Sequence, residues 1–335
     1  MNRQVPGPKP PQASDFHPLP PSHPGRVRLA FVGDINLGRH VTEWIDARGD
    51  AWLLEACKPW LDDSDLAVAN LECAVGEGGA EYTKKSVYLK ARPKDLDALS
   101  LGGIGLVTLA NNHILDYGPE VLDQTIQGLD ERGIQHTGIT EAGQRQPTVY
   151  VKLQGTTVAF LGFCSVCPGA FEANGKRPGV EPAMASVMVP QVKRAKRQAD
   201  FVVVLVHWGR EYYGANALQK RLSKALAGAG ADLVIGSHPH VLQGVERIDK
   251  TLVAYSLGNF LFDMKYPVCR NSCVLRVDLE KGKEPKWKAF PMDLSHDRPE
   301  PLAESLRQAK LIQRILKEGY EYHGVRSKPV SFAEP

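Results

Sequence analysis

Short apolar runs, rich in β-branched residues, alternate along this chain with longer stretches in which apolar residues recur at helical spacing. The runs predict buried strands, because a strand covered on both faces is apolar at consecutive positions. They lie at residues 26–32, 66–69, 105–110, 148–153, 156–163, 201–206, 233–235, 252–255 and 273–279. The stretches between them predict helices, among them 44–57, 119–132, 216–229 and 301–317. This alternation indicates an α/β fold.

Polar side chains with metal-binding chemistry follow the predicted strands, each at the point where a strand ends. They are Asp34, Asn70, Glu72, Asn112, His113, His207, His238 and His240. Because ligands in α/β folds bind at the carboxyl ends of the strands, we expect these side chains to share one pocket. Singly, Asp34 would serve as a helix cap and His113 as a core histidine, so the prediction depends on their recurrence at successive strand ends.

The stretch from Leu233 to His240 is the motif around which the prediction is built. A β-branched run stops at Gly236, and two histidines follow with Pro239 between them. Proline disfavours a helical backbone at His238, so we expect an extended segment in which both imidazoles point to the same side. Two exposed loop histidines are the alternative. Carboxylate, amide and imidazole ligands together suit Mn, Fe or Zn, and they can enclose two ions that share a bridging carboxylate.

Composition and charge restrict the classes of partner. The chain has 335 residues, is 43% hydrophobic and 24% charged, and carries a formal net charge of +3. We expect no nucleic-acid partner, since the sequence has neither zinc-finger spacing nor a long basic block. No run approaches the roughly 20 apolar residues of a membrane span, and residues 1–25 lack the apolar core of a signal peptide. The sequence therefore predicts a cytoplasmic protein and leaves its oligomeric state open.

The chain divides into three segments by composition. Proline-rich residues 1–25 predict a flexible tail, residues 26–298 a folded domain, and residues 299–335 a C-terminal helix and tail. Cys164 and Cys167 have the spacing of a redox motif, but they follow a strand instead of opening a helix, and no second pair completes a zinc site. We expect them to be structural or free thiols.

Six motifs, in order and over residues 27 to 265, resemble those of the CapA family, the poly-γ-glutamate capsule biosynthesis proteins. They are Gly33-Asp34, Asn70-Leu71-Glu72, Ala110-Asn111-Asn112-His113 with Asp116 and Gly118, His207-Trp208-Gly209 with Glu211-Tyr212, Gly236-Ser237-His238-Pro239-His240, and Ser256-Leu257-Gly258-Asn259-Phe260. That family is similar to the calcineurin-like metallophosphoesterases. The resemblance implies a four-layer α/β/β/α sandwich with a metal site at the strand ends.

The resemblance also implies roles for individual residues. Asp34, Glu72, Asn112, His207, His238 and His240 would bind two divalent metal ions, with Glu72 as the bridging carboxylate. His113 would protonate a leaving group, and Asp34 or His113 would act as acid or base. Asn36 stands where the phosphoesterase motif has a histidine, which would weaken one metal position. Asn36, Lys90, Arg92 and Glu211 are the candidate substrate-binding residues, and Lys84 and Lys85 would line the same approach.

Three functions follow from this site. The first is a metal-dependent hydrolase, of phosphoesterase-like chemistry, that acts on an anionic polymer or peptide in capsule-type biosynthesis. The second is a non-hydrolytic binding partner in polymer synthesis or export. The third is a peptide-tailoring enzyme that uses the site for proton transfer next to a carbonyl, as in epimerisation.

Overall fold

The computed structural model describes residues 25–142, 144, 148–174, 176–264, 266–303 and 305–319. The predicted tail at 1–25 therefore lies outside the described residues, apart from Gly25. The helices are α1 His40–Arg48, α2 Trp52–Glu55, α3 Lys58–Asp62, α4 Asp97–Leu101, α5 Pro119–Glu131, α6 Ala185–Lys196, α7 Ala217–Ala229 and α8 Arg307–Glu318, with 3₁₀ turns at Pro93–Leu96, Gly169–Phe171 and Pro267–Arg270.

The larger sheet is mixed, and its centre is parallel. Its strands are β1 Arg26–Ile35, β2 Leu66–Leu71, β5 Ile104–Thr108, β6 Gln135–Thr137, β15 Asn259–Leu261, β16 Asn271–Glu280, β17 Lys286–Asp293 and β18 Glu300–Pro301. The spatial order is β18-β17-β16-β1-β2-β5-β6, and β15 pairs with the end of β1. Because β1, β2 and β5 run parallel, their carboxyl ends meet at one edge of the sheet.

The smaller sheet carries the second half of the predicted motifs. Its strands are β8 Val149–Leu153, β9 Thr156–Cys164, β11 Phe201–His207, β12 Leu233–Ser237, β13 Val245–Ile248 and β14 Thr251–Ala254. The order is β13-β14-β12-β11-β9-β8, with β9, β11, β12 and β14 parallel. Two short ladders pair β3 Ala74–Val75 with β4 Lys90–Ala91, and β7 Ile139–Thr140 with β10 Gly179–Val180.

The two sheets pack face to face, with helices on both outer surfaces. Residues such as Phe31 of β1 and Phe160 of β9 belong to one apolar cluster between the sheets. A second cluster joins the outer face of the larger sheet to α1–α5, and a third joins the outer face of the smaller sheet to α6 and α7. This is the predicted four-layer α/β/β/α sandwich.

Helix α8 packs against the inter-sheet core. Ile312, Ile315 and Leu316 on one face of α8 join the cluster between the sheets, and the helix contacts β13 of the smaller sheet and β16 and β17 of the larger one. The helix thus covers an open side of the sandwich. The division of the chain at residue 298 stays a prediction.

Two predicted helices differ from the structure. The helix predicted at 301–317 begins only at Arg307, and Glu300–Pro301 instead forms β18, which pairs with β17. The helix predicted at 44–57 is broken after Arg48, because Gly49 has a positive φ of 85° that ends α1. Residues 86–93 alternate apolar and polar side chains like a strand, yet only Lys90–Ala91 forms a ladder. A segment with an alternating pattern forms a strand only where a neighbouring strand supplies hydrogen-bond partners.

Candidate metal centre

Glu72 lies at the centre of a buried cluster where the strand ends of the two sheets meet. Its side chain is fully buried, and Oε1 has no hydrogen-bond partner among the described residues. The same oxygen lies 3.6 Å from His207 Nε2 and 3.7 Å from His240 Nε2. A buried carboxylate oxygen without a donor, facing two imidazole nitrogens, has the surroundings of a metal ligand.

The potential ligands form two groups that share Glu72. One group is Glu72, His238 and His240, and the other is Asp34, Glu72 and His207; the ligand atoms of each lie within 4.8 Å of one another. Glu72 is the residue that the two groups share, and its role as the bridge between two ions stays a prediction. The donor set of carboxylates and imidazoles fits Mn, Fe or Zn.

Asn112 adds an amide oxygen to the group that contains His207. Its Oδ1 lies 2.8 Å from His207 Nε2, so both atoms can face the same ion. His207 Nδ1 lies 3.0 Å from Ser237 Oγ, a contact that fixes the orientation of the ring. Strand β11 delivers His207, and the turn after β5 delivers Asn112.

A network around Asp34 holds the carboxylates in place. Asp34 Oδ1 accepts a hydrogen bond from Asn70 Nδ2 at 2.9 Å, and Oδ2 accepts one from the backbone N–H of His238 at 3.2 Å. Asn70 Nδ2 also donates to Glu72 Oε2 at 3.2 Å. Asn70 thereby orients both carboxylates through one amide group.

The backbone at His238 and His240 is not extended, which corrects the sequence-based expectation. Strand β12 ends at Ser237, and His238 and His240 have φ values of 93° and 57°. Residues other than glycine rarely adopt such values, and they persist where the surrounding structure demands them. The two rings nevertheless lie close together, with centroids 6.0 Å apart, and both belong to the ligand group of Glu72.

Burial sets the charge of the imidazoles. It lowers the pKa of His207 well below its usual range, with the neighbouring His238 acting in the same direction, and it lowers the pKa of His238 similarly. Burial acts in the same direction on His240, but the Asp34 carboxylate, 3.4 Å from its Nδ1, raises the pKa of His240 overall. Neutral His207 and His238 are in the form that binds metal.

The two carboxylates repel each other. Burial, followed by the negative charge of Asp34, raises the pKa of Glu72 well above its usual range. Exposed Glu211 contributes further negative potential to the same group. The cluster is therefore electrostatically suited to cations.

His113 lies beside the ligand groups in a contact network of its own. His113 Nδ1 pairs with Asp116 Oδ2 at 2.7 Å, and Lys85 Nζ lies 3.2 Å from the same nitrogen. Lys85 also donates to Asp116 and to the carbonyl of Asn112. Burial lowers the pKa of His113 and of Lys85, although Asp116 opposes both shifts.

The candidate substrate-binding residues have other contacts in this structure. Asn36 Oδ1 accepts from Gly38 N at 3.0 Å and Nδ2 donates to Gly38 O at 3.3 Å, so the amide closes a local turn. Lys90 Nζ donates to Gly78 O at 2.9 Å. Arg92 pairs with Asp46 and Asp95 at 2.8 Å each. Glu211, the fourth candidate, is exposed, and its negative charge contributes to the raised pKa of Glu72.

Sequence reasoning assigned no role to Asn259, which supports a ligand. Its Oδ1 lies 2.8 Å from His240 Nδ1, which leaves Nε2 of that ring directed at Glu72. A histidine ligand typically donates its second N–H in this way. The motif Ser256–Phe260 carried the signal, because Asn259 follows a buried strand like the other polar residues.

Cys164 and Cys167 form a disulfide at the end of β9. We expected these cysteines to be structural or free thiols, and in the structure they are bonded to each other. The adjacent Ser165 donates its N–H to His207 O at 2.9 Å, so the bridged turn packs beside a ligand-bearing strand.

No helix among the described residues is long and apolar enough to cross a membrane.

A family model and several curated proteins are similar to this chain over most of its length. The model of a family described as "Bacterial capsule synthesis protein PGA_cap" matches residues 28–264. The PGA biosynthesis protein CapA of Bacillus subtilis is 33% identical over 300 residues, which cover 87% of this chain and 78% of that protein. The capsule biosynthesis protein CapA of Bacillus anthracis is 31% identical over 302 residues, which cover 88% of this chain and 74% of that protein.

Solved structures share the fold at low sequence identity. The 5′-nucleotidase precursor from Thermus thermophilus superposes with a TM-score of 0.50 at 14% identity, over 86% of this chain and 57% of that one. At this identity the likeness concerns the fold alone, and it agrees with a sandwich of the metallophosphoesterase type.

Proposed function

Since the chain belongs to the bacterial capsule synthesis family PGA_cap, we propose that it is a metal-dependent enzyme of poly-γ-glutamate-type polymer or peptide biosynthesis, with hydrolase-type chemistry at a dinuclear site. Family membership confirms the resemblance that the six strand-end motifs carried. The relatives' names associate them with capsule and PGA biosynthesis. The hydrolase-type reaction and the two bound metal ions are the parts that we propose.

One observation carries the proposal. Glu72 Oε1 is buried, has no hydrogen bond from the part of the chain that the structure describes, and belongs to a residue shared by both ligand groups. Leaving such an oxygen without a donor or a cation costs about 1–3 kcal/mol or more. A pair of divalent cations would remove that cost. Asp34, Glu72, Asn112, His207, His238 and His240 would hold them.

Bound divalent metals would supply Lewis-acid polarisation of the bond to be cleaved and would activate a water molecule near neutral pH. The chain's own residues fix the geometry. Asn70 holds the Asp34 and Glu72 carboxylates, and Asn259 and Ser237 orient the rings of His240 and His207.

His113 is the group suited to move a proton. Asp116 Oδ2 lies 2.7 Å from its Nδ1, so in the protonated imidazolium the Nε2 proton would be the one passed to the leaving group, which leaves neutral His113 with its Nδ1–H on Asp116. Lys85 donates to Oδ1 of Asp116, while Oδ2 pairs with His113, and so holds the carboxylate in place against the ring. The expected substrate is anionic, in keeping with the polymer that the family name indicates.

The test is metal content together with cleavage of γ-linked and α-linked glutamyl oligomers, with and without added Mn²⁺ or Zn²⁺. The wild-type protein should retain metal and cleave the γ-linked oligomers. Glu72→Gln should lose both properties. His113→Gln should keep the metal and lose most of the cleavage, on the order of a hundredfold. Glu77→Gln, an exposed glutamate five residues further on, serves as the matched control.

The same measurements distinguish the other functions of this site. Retained metal with tight binding of the polymer and no cleavage would replace the proposal with a binding role in synthesis or export. Exchange of the α-proton of the peptide with solvent deuterium, without cleavage, would replace it with epimerisation. Wild-type protein that binds neither Mn²⁺ nor Zn²⁺ would refute the dinuclear site.

A further inference from the structure

An ion pair joins the segments that follow two paired strands of the larger sheet. Strand β15 lies parallel to the end of β1, and Asn36 donates its backbone N–H to Leu261 O at 2.8 Å. Just beyond this pairing, Nε of Arg39 lies 2.9 Å from Oδ2 of Asp263. The pair therefore fastens the turn after β1 to the segment after β15.

Asp263 is a buried acid whose one charged partner among the described residues is Arg39. Its side chain is 1% exposed, and neither carboxylate oxygen accepts a hydrogen bond from the described part of the chain. Burial of a carboxylate with so little compensation is unfavourable. A contribution to stability therefore does not explain an acid at this position.

The backbone at Arg39 is strained. Its φ is 58° and its ψ is −131°, in a region that L residues rarely adopt. It occupies the N-cap position of α1 without a capping hydrogen bond, so helix capping does not explain the residue. Strain of this kind persists where the surrounding structure imposes it, and it is concentrated at functional sites.

The segment after β15 supports the ring of His240. Phe262, which directly precedes Asp263, contacts that ring edge-on, with centroids 5.0 Å apart. Asn259 Oδ1 lies 2.8 Å from His240 Nδ1. These two supports of the ring thus belong to β15 and to the residues directly after it.

A cavity borders this segment and increases its dependence on the ion pair. The cavity has a volume of about 270 Å³, and its lining includes Phe262, Asp263 and Met264. Side chains that face open space lose packing contacts on that side. The position of the segment then depends more on its remaining contacts, which include the ion pair with Arg39.

The other ligand group is held by residues outside this segment. Ser237 Oγ of β12 lies 3.0 Å from His207 Nδ1, and Asn70 of β2 donates to Asp34 Oδ1 at 2.9 Å. A displacement of the segment after β15 should therefore reach His240 and leave His207 in place.

We propose that Arg39 and Asp263 are positioning residues, which hold the ring of His240 in the orientation that binds metal. They act through the segment that follows β15. The group of ligands that contains His240 therefore depends on the ion pair, and the group that contains His207 does not. This inference rests on the proposed function, because it concerns the dinuclear site of that proposal.

The test is calorimetric titration of the metal-free protein with Mn²⁺, which measures the number of ions bound and the affinity for each. Wild type should bind two ions. Asp263→Ala and Arg39→Ala should each weaken one ion by about ten- to a hundredfold, as is typical when a residue behind a histidine ligand is lost, and leave the other within about threefold. Arg39→Lys keeps a positive charge beside Asp263, so it should lose less affinity than Arg39→Ala does.

A double-mutant cycle tests whether the effect passes through His240. In a His240→Gln background, Asp263→Ala should change the Mn²⁺ affinities by no more than about twofold, because the ring that the ion pair orients is already absent. Losses that add in full would overturn the inference.

Stability is measured separately by melting temperature, because Arg39→Ala leaves a buried charge unpaired. The double change Arg39→Ala with Asp263→Ala removes both charges, so it should melt above Arg39→Ala and still bind one ion weakly. Arg132→Ala is the matched control. Its Nε lies 2.7 Å from Asp97 Oδ1, in an ion pair that joins α4 to the end of α5, so this variant should keep both Mn²⁺ affinities whatever its melting temperature.

The outcomes separate this inference from the proposed function. Two ions bound with wild-type affinity by Asp263→Ala and Arg39→Ala would overturn the inference and leave the dinuclear site standing. Equal weakening of both ions, or affinity that recovers with stability in the double change, would assign the ion pair a purely structural role and overturn it as well. Wild type that binds fewer than two Mn²⁺ ions would overturn the dinuclear site and this inference with it.

Discussion

At the scale of single residues, Glu72 is the side chain that belongs to both groups of potential ligands, so the proposed metal ions would change its environment. Without metal, its carboxylate is buried beside Asp34, and both burial and that charge raise its pKa from the ordinary value of 4.5. A raised carboxyl pKa means that Glu72 contributes stability below pH 4.5, which is lost as the pH rises through its folded pKa. A metal ion bound at the proposed site would take the place of that proton.

Glu72→Gln should therefore have opposite effects on stability in the two forms. At pH 7 the metal-free variant should melt at least about 2 °C above metal-free wild type, because a buried charge is removed. In excess Mn²⁺ or Zn²⁺ the variant should melt below wild type, because it no longer gains the free energy of binding. Calorimetric scans of both forms check this. Melting temperatures that shift in the same direction in both forms would show that Glu72 is not a ligand.

The sequence predicts which residues lie close together, but it does not predict the backbone conformation that places them there. Asp34, Glu72, Asn112 and His207 could be found because each follows an apolar strand. The positive φ values at His238 and His240 could not be found, since local pattern favours extended backbone around proline. The ion pair between Arg39 and Asp263, with Nε and Oδ2 2.9 Å apart, has no sequence signal, because Arg39 immediately precedes α1 and Asp263 follows β15, 224 positions later.

At the scale of elements, two glycines determine how closely the strands approach. A Cβ on Gly236 would lie 2.0 Å from the carbonyl oxygen of Tyr255, and one on Gly33 would lie 1.9 Å from that of Gly258. Both contacts are with backbone, which cannot move aside without shifting a strand end. These glycines allow β12 and β1 to pack against the segment that carries Asn259.

Gly236→Ala should destabilise the protein by at least about 1–3 kcal/mol and lower its metal content, because the end of β12 must move. Gly228→Ala is the control. It lies in α7 with nothing within 4 Å of the added Cβ, so it should stabilise by about 0.5–1 kcal/mol. Denaturant unfolding and metal analysis measure both. Full metal content in Gly236→Ala would mean that the close approach does not position His238.

The Cys164–Cys167 bridge is a second element-scale feature. It closes a loop with a sequence separation of three, so the loss of loop entropy in the unfolded chain is small. Replacing both cysteines with serine should cost about 2 kcal/mol and leave metal binding and activity intact. Loss of activity with an unchanged circular dichroism spectrum would contradict this and assign the pair a role in the reaction.

Elements with continuous apolar runs could be predicted, and elements defined by their neighbours could not. Strands such as β11 and β9 need only their own sequence to be recognised, since both faces are covered. The break after α1 depends on the conformation of Gly49, and β4 depends on β3. Neither is encoded in short-range hydrophobic pattern.

At the scale of the whole molecule, α8 closes the side of the sandwich. Ile312→Ala should therefore destabilise by about 2–5 kcal/mol, because it opens a cavity between the two sheets. Lys310→Ala, on the exposed face of the same helix, should change stability by less than about 0.5 kcal/mol. Thermal unfolding compares them. Equal effects of the two substitutions would mean that α8 is peripheral to the core.

The arrangement of layers was predicted through the resemblance, since alternating strands and helices indicate only an α/β fold. Periodicity cannot tell whether the strands form one sheet or two. The two halves of the site come from different sheets, and they join where Asn112 of one meets His207 of the other.

Trp208 is a buried fluorescent side chain next to a proposed metal ligand. The indole is fully buried directly after His207, and its N–H donates to Tyr255 O at 2.9 Å. A tryptophan enclosed in this way emits at short wavelength, and a paramagnetic ion such as Mn²⁺ bound at His207 would quench that emission, whereas Zn²⁺ would not. Binding of metal at the proposed centre would then be followed by fluorescence in real time, without a label and without a substrate.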